Sequence, residues 1–189
     1  MTAPSDELPY PEQAQGVTFL TLAAIPTAVR CSRQFVRLAL KRWGLAALAE
    51  DAELVVSELV TNAVQASGVT DPEAAWGDLG RLATIQVRVL MYRAGIVIEV
   101  WDRDPGTPAG HDAASDEEGG RGLMIVTALC KEWDYFCASR GGKVVWAELA
   151  VPAGLPRRTG GTPVAARNRA DFLRDPGLLR RVHRGLKDL

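Results

Sequence analysis

The order and period of the apolar residues predict an α+β fold: a two-layer α/β sandwich with three helices on one face of a mainly antiparallel sheet. Two pairs of segments carry the sheet. Ile85, Val87, Val89 and Met91 alternate with Gln86 and Arg88, and residues 95–101 return after the turn Arg93-Ala94-Gly95. Residues 133–138 and 143–151 repeat that arrangement around Ser139-Arg140-Gly141-Gly142. Period two marks a strand with one buried face, and turns this tight make the paired strands antiparallel. Helical periods occupy the stretches before residue 68 and after residue 120, which gives the order β-α-α-β-β-α-β-β.

The first strand covers residues 17–22. Pro26 opens an amphipathic helix to about Trp43, with Val29, Val36, Leu40 and Trp43 at helical spacing and Gly44 at its end. A second helix covers about 51–66 and stops at Ser67-Gly68. Leu54, Val55, Leu59 and Val64 are its expected packing surface. Residues 68–82 contain Gly, Pro, Asp and Trp76 without a period and read as a loop. Residues 103–119 are polar, acidic and rich in Gly and Pro, and are expected to form a mobile lid. The third helix is expected over 121–131.

With 189 residues, 47% of them apolar, the chain is long enough to bury one full core. The folded domain is expected over 16–152, after a disordered leader (1–15) and before a basic, partly helical tail (153–189) broken at Pro176. No run of 18 apolar residues is present, so no transmembrane helix and no membrane partner are expected. The leader is acidic and proline-rich, unlike a signal peptide. Cys31, Cys130 and Cys137 are odd in number and scattered through apolar segments, which reads as free, buried, reduced thiols in a cytoplasmic protein. His111 and His183 are not spaced near a cysteine pair, so a metal site built on these residues is not expected. From Pro156 onward nine Lys+Arg face three Asp+Glu, a net +6, and the rest of the chain carries −7 to give −1 overall. A tail of that sign can fold back on an acidic body, dock an acidic partner or touch nucleic acid. No aromatic-interleaved basic stripe supports the last.

Three groups of residues carry chemistry. Glu58 and Asn62 stand four residues apart, so a helix turns them to the same side within an otherwise apolar segment. A carboxylate can accept a proton there. A carboxamide oxygen is an adequate protein anchor for Mg2+, which keeps most of its waters and takes phosphate oxygens. A merely solvated helix face would have the same pattern. Asp102 ends the strand Ile96, Val97, Ile98, Val100 and Trp101, where an acceptor held among apolar residues can receive an amine, and Gly106 permits a close turn after it. An ordinary Asp-Pro-Gly turn would also read this way. Gly119, Gly120 and Gly122 precede or open a helix, where free N–H groups and the helix dipole favour an anion. Arg121 could add a charge contact. No Lys-Ser/Thr ending follows, so this is not a Walker A loop.

In this order, Ser57-Glu58-Leu59-Val60-Thr61-Asn62, Asp102 with Gly106, and Gly119-Gly120-Arg121-Gly122-Leu123 resemble the N, G1 and G2 boxes of the GHKL ATP-binding superfamily. Within it the chain is most similar to the anti-sigma-factor serine kinases. The resemblance covers about residues 17–151. It implies the Bergerat-type fold and ATP with Mg2+ as cofactors. It implies Glu58 as the catalytic residue, acting as general base or holding a water, Asn62 as the Mg2+ ligand, and Asp102, Gly106, Gly120, Arg121, Gly122 and Leu123 as the nucleotide site, with Asp102 taking the adenine amine. The activity it implies is a regulatory serine/threonine protein kinase that binds a sigma factor and phosphorylates an anti-anti-sigma antagonist. A nucleotide-binding regulatory module of the same fold without phosphoryl transfer stays open, as does a homodimer. Three positions depart from the family pattern. Asp104 stands where glycine usually follows the aspartate, and Gln65-Ala66 stands where related kinases often carry a histidine. The last strand reads Lys143-Val144-Val145-Trp146, with no hydroxyl to support Asp102.

Overall fold

A computed structural model describes residues 14–68, 83–108, 120–139 and 141–151. The leader up to residue 13, the loop 69–82, the expected lid from 109 to 119, the tail, His111 and His183 lie outside the described residues. Five strands form one antiparallel sheet: β1 (Gly16–Ala23), β2 (Thr84–Met91), β3 (Gly95–Asp102), β4 (Glu132–Cys137) and β5 (Lys143–Ala150). Their spatial order is β1-β2-β3-β5-β4, so β5 returns between β3 and the edge strand β4. The helices are α1 (Thr27–Trp43), α2 (Ala49–Ser67) and α3 (Gly120–Leu129). The expected α+β sandwich is the observed one.

Each element follows from local chemistry. Pro26 precedes α1, and Gly44 closes it at φ 75° with its N–H on the Leu40 and Lys41 carbonyls. A 3-10 turn, Ala46–Leu48, runs directly into α2, so this helix starts slightly earlier than its apolar period predicts. Helix α3 ends at Leu129, short of the expected 131. There the Lys131 N–H donates to the Glu148 carbonyl of β5 (2.8 Å), which draws the chain into the sheet. At the N-terminal side, Gln15 already donates to the Met91 carbonyl (2.7 Å).

The main core lies between the helices and one sheet face. Ile85, Val87 and Val89 of β2, Ile96, Ile98 and Val100 of β3, and Val145, Ala147 and Leu149 of β5 all point into it. Helix α2 answers with Val55, Val56, Leu59, Val60, Ala63 and Val64. Leu54 does not join them: it is 49% exposed, because the buried stripe of α2 continues through Val56 and Val60 instead. The other sheet face has a smaller cluster of Leu90, Val97, Phe136 and Val144 with Tyr92, Trp101 and Trp146 against it. Beside it the buried Glu99 pairs with Arg88 across β2 and β3 (2.7 Å). Burial and the Glu99 charge push the Tyr92 hydroxyl up to about 12, so it stays neutral at physiological pH.

The cysteines are free, but only Cys130 is even partly buried, whereas Cys31 and Cys137 are exposed. The expectation of three buried thiols fails because Cys31 sits on the solvent side of α1 and Cys137 ends the edge strand β4. Burial, with a smaller push from Asp51, raises the Cys130 thiol to about 12. The thiolate is the reactive form. A neutral thiol reagent should therefore modify Cys31 and Cys137 in the native protein and Cys130 only after denaturation, as peptide mapping would show.

The β4–β5 turn fixes a further constraint. Gly141 and Gly142 have φ of 90° and 77°, the left-handed region that glycine alone enters at little cost. A Cβ on Gly141 meets nothing, whereas one on Gly142 would overlap the backbone carbonyl oxygen of Asp102. Gly141→Ala should then cost about 1–2 kcal/mol of stability from strain alone. Gly142→Ala should cost distinctly more in urea denaturation, because the clash adds to the same strain.

Candidate functional site

Helix α2 lies between α1 and α3 over the sheet and presents Glu58 and Asn62 one turn apart. Both are half-buried. Among the described residues Glu58 makes no hydrogen bond or ion pair. The Asn62 side-chain nitrogen is buried with no partner. An amide shielded from water and unpaired costs about 1–3 kcal/mol, so selection for stability alone would not hold it there.

Gly122, in the first turn of α3, closes this site from the other side. A Cβ there would lie 2.5 Å from Oε2 of Glu58. The glycine therefore lets the α3 backbone reach the carboxylate, and a Cβ there would oblige the Glu58 side chain to shift. The α3 N-terminus, from Gly120, stands next to Glu58, where its free amides can face an anion. Leu123 is buried in the core, so its side chain anchors α3, and it can offer a ligand only backbone groups. The Arg121 side chain and Gly119 lie outside the described residues.

Asp102 ends β3 with 1% exposure. Its Oδ1 accepts from the Asp104 N–H (2.9 Å) and from Lys143 Nζ (3.1 Å). Burial raises the Asp102 carboxyl above the usual carboxylate range, and the Lys143 ammonium and the Asp104 N–H draw it part of the way back. Lys143, itself 2% exposed, also donates to the Asp104 carbonyl and to Asp104 Oδ2, both at 3.0 Å. Gly106 donates its N–H to Asp104 Oδ2 (3.2 Å). The turn after Asp102 is thus held by Asp104 as well as by the glycine.

The structure brings the expected residues together in two groups. Glu58 meets Gly122 across α2 and α3, and Asp102 meets Asp104 and, through it, Gly106. No described hydrogen bond joins the two groups. Lys143 and the part played by Asp104 were missed from sequence, where β5 reads only as a strand without a hydroxyl. A lysine opening a buried strand signals an anionic partner, but its identity depends on the Asp102↔Lys143 register.

Fold and site together define an α+β nucleotide-binding domain, with an unpaired amide, a carboxylate and glycine-lined backbone on the helices and a buried acceptor at a strand end. The sequence matches the family described as Histidine kinase-like ATPase domain over residues 22–149, and the chain belongs to that family. Membership implies ATP as its ligand. No curated protein matches the sequence. Among solved structures it is similar to the histidine kinase domain of a blue-light activated histidine kinase from Erythrobacter litoralis. That match has 16% identity and a TM-score of 0.41, and covers 69% of this chain and 62% of that one.

Among the described residues no cluster of three His, Cys, Asp or Glu could hold a metal. Mg2+ needs few protein ligands, and the Asn62 side-chain oxygen is of the kind it takes, whereas the unpaired Asn62 nitrogen is a donor that suits a phosphate oxygen. Replacing Asn62 by leucine, close in shape but without polar atoms, should raise the ligand-free unfolding free energy by about 1–2 kcal/mol. It should also abolish nucleotide binding; chemical denaturation and calorimetry on one preparation read both.

Proposed function

We propose that this chain is an ATP- and Mg2+-dependent regulatory serine/threonine protein kinase of the anti-sigma type. It would bind a sigma factor and phosphorylate a small anti-anti-sigma antagonist in the cytoplasm. The observation that carries the reading is the unpartnered Asn62 side-chain nitrogen one turn from Glu58, with Gly122 pressed against that carboxylate.

The residues divide the work by their chemistry. Asp102 accepts from the exocyclic amine of adenine and would face the oxygen of guanine, which selects the base. The Gly120–Gly122 backbone at the start of α3 faces phosphate oxygens. The Asn62 side-chain oxygen anchors the cation, and its unpaired nitrogen donates to a phosphate oxygen. Bound Mg-ATP supplies the phosphoryl group, with the metal offsetting its charge. Glu58 takes the proton of the incoming serine hydroxyl, and no described partner ties that carboxylate elsewhere.

A second reading keeps the same site but uses nucleotide as a switching ligand without transfer. It is favoured by the same isolation of Glu58, since no described group orients it as a base. Titration calorimetry and transfer of labelled phosphate to a candidate antagonist separate the two. Mg-ATP should bind more tightly than Mg-GTP, and Asp102→Ala should weaken ATP about tenfold or more. Asn62→Ala should remove the Mg2+ dependence of binding, whereas Glu58→Ala should bind and not transfer. Equal affinity for ATP and GTP would sink the base assignment, and binding without transfer by the unaltered protein would leave the switching module.

A further inference from the structure

We propose that Lys143 is the positioning residue of base recognition: it holds the buried Asp102 carboxylate as an acceptor and, through Asp104, ties the following turn to β5. The proposal rests on the ATP reading above.

The geometry accounts for every proton of the ammonium. Lys143 Nζ lies 3.1 Å from Asp102 Oδ1, 3.0 Å from the Asp104 carbonyl and 3.0 Å from Asp104 Oδ2. Three donors meet three acceptors, so this cation has no proton left for the 6-oxo group of guanine. Asp102 Oδ1 is saturated in turn, since it also takes the Asp104 N–H at 2.9 Å. No described donor reaches Oδ2, which is the oxygen left to receive a base amine. The Lys143 and Asp102 side chains are 3% and 1% exposed, so neither charge is solvated enough to stand without the other.

Asp104 shares the same ammonium and adds a like charge beside Asp102. Lys143 from β5 and Asp104 from the loop are the charged groups that act on Asp102 among the described residues. Without Lys143, two carboxylates would confront each other in a site that disfavours even one. Asp102 would then take up a proton, and the turn would lose its link to β5. Lys143 touches no reacting atom and acts through Asp102.

The test combines carbon-13 NMR of the Asp102 carboxyl in the ligand-free protein with calorimetry using Mg-ATP and Mg-GTP. Lys143→Met should raise the pH at which Asp102 protonates. It should weaken Mg-ATP about tenfold and reduce the preference for ATP over GTP. Adding Asp104→Asn should recover part of that affinity, because the like charge is gone. Loss of fold alone would lower the active fraction without changing the ATP-to-GTP ratio. Asp104→Asn by itself covers the case in which Lys143→Met does not fold, since Asp104 is 38% exposed. With its competitor gone, Lys143 should then lower the Asp102 midpoint. An Asp102 titration that ignores both changes, or an unaltered nucleotide ratio in folded Lys143→Met, overturns the proposal. If the unaltered protein binds neither nucleotide, the functional reading fails, while the Asp102 titration still decides the role of Lys143.

Discussion

A carboxylate buried at the end of a central strand must be neutralised, and much of this domain's layout can be traced to how that is done. Desolvating one ion costs several kcal/mol, which attraction to a partner offsets only with close geometry and further hydrogen bonds. Asp102 obtains both from β5, because the antiparallel register sets Lys143 directly across from it. That register requires β5 to return between β3 and β4. It also requires the β4–β5 turn to pass over the Asp102 backbone, where only glycine leaves room. Strand order, turn composition and the charge state of Asp102 are one constraint seen at three scales.

Helix α2 obeys the opposite rule. Its inner stripe of Val55, Val56, Leu59 and Val60 packs at 0–1% exposure and supplies much of the core. One turn further round it carries an amide without a partner and a carboxylate facing a glycine. The rigid stripe makes the unfavourable face tolerable, since a helix so anchored cannot rotate to bring the amide into water. Stability is concentrated on one side of the helix and withheld on the other, as functional sites commonly require.

The sequence made some of this plain and hid the rest for definite reasons. The strands around 85–101 were legible because alternation at period two needs no knowledge of neighbours. The shared face of Glu58 and Asn62 follows from helical geometry alone. Leu54 was misjudged because an apolar residue at the margin of a stripe can fall on either side of it. Exposed Cys31 and Cys137 show the same ambiguity for small apolar side chains. The contact of Gly122 with Glu58 depends on how α3 packs on α2, and no local pattern encodes that angle. Lys143 was hardest to see. Its partner lies 41 residues away, and only the completed sheet turns a missing hydroxyl and an unexpected Asp104 into one ion-pair network.

Trp101 gives this arrangement an optical consequence. Its indole N–H donates to the Gly141 carbonyl (3.2 Å), so the ring bridges the strand end that carries Asp102 and the turn that leads to Lys143. Indole emission responds to the polarity and hydrogen bonding around the ring. A chain keeping Trp101 as its sole tryptophan would carry an intrinsic fluorophore one residue from the Asp102 carboxylate, able to follow strand-end rearrangements in real time without a label.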